Sequence, residues 1–554
     1  MCEFEADVAA FDDLDGTVWE CPREPTTGRY CLFHSQEPTP TATATETLVE
    51  AVETADGAVR LIGARIEGLD LDYASIDANR TYPIDLRSAT VTGELTARHA
   101  YIAHPLRLDG ALVEGGIVLD DAVFTQRVTL DGAELRGPFS AQVTRFDSLL
   151  RLYGTVFGAI ERRDDTPGTA HDLSAVDRPR QSPTVAAGAP VFARGAVFEQ
   201  GVYAERATFG DAADFMNARF PEVGNFADCG FAAGAVFARS NFDDNLNLTG
   251  AWLDAPTAKL RSKLGGSNGV ERERTLDGVA LHCEGITCQT SVMLDETRLG
   301  GDLRLCNITL ERDLDTTGAT ATVETVTVDC RETQTVSGRL GGAGLVYDLT
   351  EATLGETDLV GIEFTALSFD DTTFDGFDFG EYKQQLRATD WQLHDETMSP
   401  TERENLYLHA KNGANDIGDD GAAAQFFIRE MTARGASHRE RLTNSGGIRP
   451  LVDLLGNLTL RGTCGYGERP SYTLGFSAVI IGVFTVGYAI AGVGAPYSGF
   501  DGLVTFSVQA FVSALLSNPT PANQTAALLV AVEGFLGGFM IALFVFTLTR
   551  SINR

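Results

Sequence analysis

The stretch ATVTGELTARHAYIAHPLRLDGALVEGGIVLDDAVF, residues 89–124, repeats one order of side chains every eleven positions. A small residue fills the first slot and an apolar residue follows two positions later, a spacing that puts both side chains on one face of a strand. A helix would space its apolar residues by three and four, so the pattern excludes an α-solenoid. Because a fixed short period stacks each unit on its neighbours, the stretch predicts a β-solenoid.

The same order extends far beyond this stretch. The small slots hold Ala89, Ala100, Ala111, Ala122, Ala133, Thr144 and Thr155 and, after an interruption, Ala196, Ala207, Ala218, Cys229, Ser240 and Ala251. The apolar slots hold Val91, Ile102, Val113, Phe124, Leu135, Phe146 and Phe157, then Phe198, Phe209, Phe220, Phe231, Phe242 and Leu253. We predict a solenoid over residues 58–380, with two eleven-residue units per coil and loop insertions near residues 158–188 and 254–280.

The second insertion holds the only basic cluster of the predicted solenoid. Its members are Lys259, Arg261, Lys263, Arg272 and Arg274. Contact with an anionic lipid or partner is one interpretation, and a mobile edge insertion of mixed charge is the favoured one.

Near the end of the solenoid the period tightens to five. The stretch ATLGETDLVGIEFTALSFDDTTFDGFDFGE, residues 352–381, centres on Leu354, Leu359, Phe364, Phe369, Phe374 and Phe379. These residues resemble the pentapeptide-repeat family, and the resemblance implies a right-handed quadrilateral β-helix. Such folds serve mostly as scaffolds or recognition surfaces, which implies a protein partner on the solenoid.

A metal site is predicted in residues 1–40. Cys2, Cys21, Cys31 and His34 are three thiols and one imidazole, a complete tetrahedral set for zinc, and Cys31 and His34 form a tight chelating pair. The alternative is that they are small buried residues of a capping segment. We favour a structural zinc site, similar to a zinc knuckle, because so small a module has too little core to fold without a staple.

The net charge of the chain limits the kinds of partner that it can bind. The net charge is −34, and only four of the 43 basic residues are lysine. The acidity either imitates nucleic acid or suits concentrated salt, as in halophilic organisms, and the even spread of acidic residues favours the second interpretation. No nucleic-acid ligand is expected, because phosphate repels such a surface. The acidic N-terminal sequence does not resemble a signal peptide, and the cysteines show no disulfide framework, so we expect a reducing compartment.

Helices are predicted after the solenoid. Residues 385–440 read as a helical hairpin, opened by a capping box from Ser399 to Glu402 with Pro400 at the first helical position. Residues 446–470 hold an amphipathic linker helix and a junction. This helix either lies in a membrane interface or packs against the hairpin.

Two apolar stretches, Thr473 to Val493 and Ala526 to Leu548, reach the length of a membrane span within a predicted membrane domain of residues 472–554. Arginines flank both stretches on their outer sides, whereas residues 494–525 contain no Lys or Arg. The positive-inside rule then predicts a multi-pass protein of the cell membrane with both termini cytoplasmic.

The segment between the spans, TFSVQAFVSALL at residues 505–516, resembles the pore helix of tetrameric potassium-channel-type pores, and the second span resembles their inner helix. The resemblance implies a re-entrant helix, lipid contact and a homo-oligomer, a tetramer if it is channel-like. The filter loop Thr-Val-Gly-Tyr-Gly is absent, because Ser513 to Pro519 contains no glycine. Gly465, Tyr466 and Gly467 precede the first span, so they are predicted to form a junction and not a filter.

The candidate residues of this pore-like domain are polar or small. The polar ones are Glu533, Ser507, Gln509, Ser513, Ser517 and Asn518, and the predicted hinge is Gly537 with Gly538. Glu533 either tunes a permeation pathway or hydrogen-bonds the back of the pore helix at Ser507 or Gln509; a third alternative is hydration near the outer interface. We favour the hydrogen bond.

The predicted fold class is therefore multidomain: a β-solenoid, a helical hairpin and two transmembrane helices with a re-entrant helix. Two functions stay open, namely an ion-channel-like pore of weak cation selectivity attached to a cytoplasmic solenoid, and a membrane-anchored scaffold. A DNA mimic is disfavoured by the spans. No enzyme is expected, since the histidines form no cluster beyond His34 and no catalytic motif is present.

Overall fold

The computed structural model describes the chain except residues 10, 12–13, 15, 27, 55–57, 78–81, 161–184, 187, 256–277, 494–496, 498, 517–518 and 553–554. Two units divide it, Met1–Phe369 and Asp370–Arg554. The greater part of both predicted insertions, with the whole basic cluster of the second, lies outside the described residues. At the base of the first insertion Ala159–Ile160 and Val185–Ala186 pair antiparallel.

The first unit is a β-solenoid of about 12 turns, which confirms the prediction of the fold. Most coils pass through four short strands, and the strands of successive coils pair in parallel. The register pairs Tyr101 with Val123 and Val123 with Arg145, an offset of 22 residues, so one coil holds two eleven-residue units.

The strands of this unit form four faces, described here in the order in which the chain visits them. Face 1 consists of Val59–Arg60, Ile84–Asp85, Leu106–Arg107, Val128–Thr129, Leu150–Arg151, Val202–Tyr203, Gly224–Asn225, Leu246–Asn247, Val292–Met293, Leu314–Asp315, Val336–Gly341 and Thr353–Val360. Face 2 consists of Arg65–Ile66, Thr90–Val91, Leu112–Val113, Glu134–Leu135, Val156–Phe157, Thr208–Phe209, Gly230–Phe231, Trp252–Asp254, Arg298–Gly300 and Thr320–Ala321. Face 3 consists of Leu69–Asp70, Glu94–Thr96, Gly116–Val118, Phe139–Ser140, Val191–Phe192, Ala213–Asp214, Ala235–Val236, Val279–His282, Asp302–Arg304, Val326–Asp329, Leu345–Asp348 and Leu367–Ser368. Face 4 consists of Ser75–Ile76, Tyr101–Ile102, Val123–Phe124, Arg145–Phe146, Val197–Phe198, Arg219–Phe220, Asn241–Phe242, Thr287–Cys288 and Thr309–Leu310.

The interior of the solenoid is built from columns of stacked phenylalanines. Along face 4 the ring centroids of successive residues lie 4.4 to 5.4 Å apart, and the column is Phe124, Phe146, Phe198, Phe220 and Phe242. A second column on face 2 stacks Phe157 on Phe209 at 4.9 Å and Phe209 on Phe231 at 4.7 Å. Burying each ring contributes roughly 2–3 kcal/mol, so these columns supply much of the stability of the unit.

Polar residues in the small slots hold consecutive coils together. The buried side chains of Thr144, Thr155, Ser240 and Cys229 each donate a hydrogen bond to a backbone carbonyl 25 residues earlier, at 2.7 to 2.8 Å. A small side chain with one donor therefore fits this slot as well as alanine does, because its polar group is satisfied.

A left-handed residue precedes most of the small slots. Ser88, His99, Asp121 and Asn217 have φ between 52° and 57°, and Gly110, Gly132, Gly154 and Gly195 take the same place with φ from 62° to 65°. This conformation costs little for glycine and is tolerated by Asn and Asp, which explains the polar and glycine bias at the corner.

The N-terminal segment covers the first coil. It contains an antiparallel pair of strands, Glu5–Asp7 with Val18–Glu20, and a 3₁₀ turn at Leu32–His34. Helix α1, Thr41–Thr54, follows and buries Ala44, Leu48 and Val52.

The second unit is helical after one strand, Thr373–Phe374. Its helices are α2 (Lys383–Ala388), α3 (Pro400–Asp416), α4 (Asp420–Ser445), α5 (Ile448–Cys464), α6 (Pro470–Ala491), α7 (Phe500–Phe511) and α8 (Gln524–Ile552). Helices α3 and α4 form the hairpin, and both hydrogen bonds of the capping box at Ser399 and Glu402 are present.

Helices α6 and α8 are long and apolar enough to cross a membrane. Only 17% of the most apolar window of α6 and 28% of that of α8 are buried within the chain. Core helices of a soluble protein would be mostly buried, so these two present apolar surface to their surroundings.

Val143 supplies a test of the left-handed corner. It has φ 56° and is 62% exposed, and a β-branched residue is strained in this conformation. We expect Val143→Gly to raise the free energy of unfolding of the full chain by about 1 kcal/mol, measured by thermal or urea unfolding. Val323→Gly is the matched control, since Val323 is also exposed but does not have a left-handed backbone conformation. Val323→Gly should lower the free energy of unfolding. A lower free energy of unfolding in both variants would contradict the account.

Candidate functional sites

A buried group of four side chains could bind a metal ion. The Sγ atoms of Cys2, Cys21 and Cys31 and a ring nitrogen of His34 lie within 4.8 Å of one another, and all four residues are buried. The Cys21 and Cys31 sulfurs are 3.9 Å apart, and His34 Nδ1 lies 3.2 Å from the Cys31 sulfur and 3.6 Å from that of Cys2. A tetrahedron with metal–sulfur bonds of about 2.3 Å has edges of about 3.8 Å, so the donor set fits a four-coordinate metal.

The backbone brings these four residues together. Cys2 and Cys21 flank the two paired strands, and the hydrogen bond from Cys21 N to Phe4 O continues that pairing at 3.1 Å. The 3₁₀ turn that follows Cys31 brings His34 round to the same side, with His34 N donating to Cys31 O at 3.1 Å.

One hydrogen bond decides which nitrogen of His34 is free. His34 Nε2 lies 2.9 Å from the carbonyl oxygen of Ile62, in the first coil. A carbonyl can only accept, so Nε2 carries the proton and Nδ1 presents its lone pair to the sulfurs. The Phe4 ring stacks on the imidazole at 3.9 Å and fixes its plane.

Burial within the group shifts the pKa of its side chains. Burial raises the pKa of Cys21 to about 12 and also raises the pKa of Cys31. Burial opposes ionisation of Cys2 too, but hydrogen bonds from the Cys31 and Phe4 backbone leave the pKa of Cys2 below its usual value. Burial lowers the pKa of His34, which keeps the imidazole neutral and able to ligate. Metal binding would therefore have to displace protons from the Cys21 and Cys31 thiols, whose pKa burial raises.

The second candidate site is a polar group inside the second unit. Glu533 of α8 is fully buried, and its Oε1 accepts a hydrogen bond from Ser507 Oγ of α7 at 2.5 Å. Its Oε2 accepts from the hydroxyl of Tyr488 in α6 at 2.6 Å. One carboxylate therefore ties together both apolar helices and the short helix between them.

Sequence reasoning pointed to Ser507 and missed Tyr488. Tyr488 is fully buried, and Ser507 Oγ also lies 3.0 Å from the carbonyl oxygen of Ile481. A tyrosine within an apolar span was the available signal, since a buried hydroxyl needs a partner.

The other polar candidates do not join this group. Gln509 is exposed, and its Oε1 accepts from the hydroxyl of Tyr497 at 2.9 Å. Ser513 is half-buried and lies beside Gly534 of α8. Ser517 and Asn518 lie outside the described residues.

The two predicted hinge glycines lie in an unbroken helix. Helix α8 runs through Gly537 and Gly538 from Gln524 to Ile552. A Cβ on Gly537 would overlap the carbonyl oxygen of Phe511, and one on Gly538 would lie 3.2 Å from Ala514 Cβ. These glycines let α8 approach the end of α7 closely; hinge motion stays a prediction.

The tripeptide Gly465–Tyr466–Gly467 forms a 3₁₀ turn between α5 and α6. The Tyr466 hydroxyl donates to Asn457 Oδ1 at 3.0 Å, and the next residue, Glu468, pairs with Arg550 at 2.9 Å. Helix α6 begins at Pro470, two residues later. The tripeptide is therefore packed as a junction within the unit.

Comparisons with protein-family models, with curated proteins and with solved structures each find no match. The resemblances to pentapeptide-repeat proteins and to channel pores accordingly stay predictions from the sequence motifs.

Double substitution tests the role of the Glu533 carboxylate. Glu533→Leu should lower the free energy of unfolding in detergent by roughly 1–3 kcal/mol, because it leaves the buried Tyr488 hydroxyl without an acceptor. Adding Tyr488→Phe should return part of that loss, since the unpaired group is then gone. Glu533→Gln is the control: its amide can accept from Tyr488 and donate to Ser507. Strictly additive losses would contradict the account.

Proposed function

We propose that this chain is a two-span membrane protein whose helices α6, α7 and α8 assemble with other copies into a pore of weak cation selectivity. The solenoid and both termini are cytoplasmic in this proposal. The observation that carries it is the docking of the short helix α7 between the two apolar helices through Glu533, Ser507 and Tyr488.

The length of α7 supports a re-entrant position. Its 12 residues extend about 18 Å at 1.5 Å per residue, well short of a hydrocarbon core of about 30 Å. In the chain α7 follows α6 and precedes α8, and both of these helices are long enough to span a membrane. A helix that enters and leaves on one side of the bilayer must bury its irregular backbone against protein, and the C-terminal end of α7 packs against Gly534 and Gly537.

The exposed side of α7 supports a water-facing or subunit-facing surface. Asp501, Thr505 and Gln509 recur every four residues and are all exposed, whereas the opposite side buries Phe506, Ser507 and Ala510. Such a polar stripe is costly against lipid. In an oligomer, a ring of Asp501 carboxylates would attract cations without the backbone-carbonyl filter that this chain lacks.

A membrane-anchored scaffold is the second candidate. The segment after α7 presents Leu515 and Leu516, both exposed, where a potassium filter presents backbone carbonyls. In that case the spans only anchor the chain and the solenoid binds a protein partner.

We also propose that the buried Cys2, Cys21, Cys31 and His34 group holds a structural zinc ion. Three thiols and one imidazole leave no open position for a substrate, and zinc prefers this tetrahedral nitrogen and sulfur set. The ion would fasten the N-terminal segment to the first coil through the hydrogen bond from His34 to Ile62.

Ion flux tests the pore. Purified protein in liposomes should pass monovalent cations, and Asp501→Asn should lower the cation-to-anion permeability ratio by about tenfold, because a ring of carboxylates concentrates cations. Asp453→Asn is the control, since Asp453 is an exposed acid of α5 outside the proposed pore. Absence of flux together with monomers in native mass spectrometry would refute the pore and leave the scaffold.

Metal content tests the zinc site. Elemental mass spectrometry of the purified chain should find about one zinc per chain, and Cys31→Ser should lower zinc affinity by at least tenfold, because a hydroxyl cannot replace a thiolate. Cys306→Ser, a cysteine of the solenoid that is remote in sequence from the group, should keep the metal. Equal zinc in both variants would exclude this site.

A further inference from the structure

Helix α5 buries the polar residue Asn457 and exposes most of its large apolar residues. Asn457 is buried, donates from Nδ2 to the Met431 carbonyl oxygen at 2.8 Å and accepts from the Tyr466 hydroxyl at 3.0 Å. The exposed large apolar residues are Ile448, Leu451, Val452, Leu455, Leu458 and Leu460. Leu454 of the same helix is half-buried, and packing against the hairpin does not account for the exposed apolar residues.

The exposed residues form one arc with basic flanks. At about 100° per residue, all of the exposed apolar side chains except Leu460 fall within about 120° of one another, opposite Asn457. Arg449 and Arg461 flank this arc on its two sides, each about 60° beyond its edge, and both are exposed. This is the distribution of a helix that lies in the plane of a bilayer surface, where arginines reach the headgroups from both edges.

In the part of the chain that the structure describes, the arginines around α5 have no acidic partner, whereas several arginines of the solenoid do. Arg145, Arg331 and Arg339 of the solenoid each pair with a neighbouring carboxylate. In contrast, Arg439 and Arg441 near the end of α4, and Arg449 and Arg461 of α5, have no acidic side chain within ion-pair distance among the described residues. The exposed acids of residues 439–461 are only Glu440 and Asp453, so this surface is basic within a chain of net charge −34.

The position of α5 indicates what covers it. A turn at residues 465–467 leads directly from α5 into α6, whose apolar surface is exposed from its first turns. In the chain, α5 is therefore followed directly by the apolar surface of α6, which faces lipid in the proposed membrane arrangement.

We propose that α5 is a membrane-surface helix that binds anionic phospholipid headgroups through Arg449 and Arg461, with Arg439 and Arg441 extending the basic surface. The apolar arc lies in the acyl boundary and the guanidinium groups contact lipid phosphates. This goes beyond conduction and rests only on the proposed insertion of α6 and α8. In about 0.1 M salt, exposed charges more than about 10 Å apart are largely screened from one another. The four local arginines therefore outweigh the distant acidic residues of the chain where α5 meets anionic lipid.

Fluorophores at single cysteines test the position of α5 in vesicles. Leu455 of α5 and Val483 of α6 are both more than half exposed, and each is changed to cysteine in a Cys306→Ser background, since the other eight cysteines are buried. Quenching by spin-labelled lipid should place the Val483→Cys probe deep and the Leu455→Cys probe at the headgroup boundary. A deep Val483→Cys probe with a Leu455→Cys probe open to aqueous iodide would overturn the surface helix while leaving membrane insertion intact. A Leu455→Cys probe shielded from both quenchers would point to a covering protein copy and equally overturn it.

Lipid retention tests the headgroup contact. The full chain, extracted from vesicles of phosphatidylcholine mixed with phosphatidylglycerol, should retain phosphatidylglycerol preferentially in native mass spectrometry. Arg449→Gln with Arg461→Gln should lower that preference by about fivefold per arginine. The control pair, Arg145→Gln with Arg219→Gln, removes the same charge from the solenoid and should change nothing. No preference in the unaltered chain, or an equal loss in the control pair, would refute the proposal, whatever the flux assay finds.

Discussion

The parallel backbone ladder between consecutive coils is the constraint on which the first unit depends. Most strands are two or three residues long, so none is stable by itself and each needs the coil before and after it. The ladder leaves open hydrogen-bonding groups at a terminal coil, where another chain could add. The N-terminal segment closes this end: Thr39 N donates to Arg65 O at 2.9 Å and Thr39 O accepts from Glu67 N at 2.8 Å. The last candidate metal ligand, His34, lies five residues before Thr39 in the chain. A metal ion bound there would stabilise the N-terminal segment and, with it, the first coil.

In the second unit the corresponding constraint is the satisfaction of polar groups among apolar helices. Glu533 accepts two hydrogen bonds, and each comes from a different helix. Glycines on α8 add the close approach that brings α7 within reach, because the carbonyl of Phe511 occupies the space a Cβ on Gly537 would need. The packing of α7 depends on both features, because the hydrogen bonds fix the orientation of α7 and the glycines fix its distance from α8.

The sequence predicts those features that repeat or that need a specific residue type. The eleven-residue period predicted the solenoid, and the buried columns of Phe124 and Phe157 follow from it, because side-chain alternation in strands is geometric. The four metal-binding candidates were predicted from their donor types, the close Cys31–His34 pair and the small size of the module, although the other two gaps along the chain are wide. Helix α1 was missed, although Ala44, Leu48 and Val52 recur at helical spacing, since its fourteen residues precede the repeat and resemble a polar linker. The exposed leucines of α5 could not be assigned, because a helical pattern shows an apolar face without showing what covers it.

The exposed surfaces of α7 and α8 bear on the assembly proposed above. Along α7 the exposed residues are polar at Asp501 and Thr505, while on α8 Phe535 and Phe539 are exposed and apolar. Lipid suits the second kind of surface and is costly for the first. Water suits the first and leaves the second as an apolar patch. A single environment around an isolated chain cannot serve both, and we infer that an assembly with lipid outside and a polar interior resolves the conflict. The polar side of α7 then faces the interior of the assembly, which is the arrangement that the proposed pore requires.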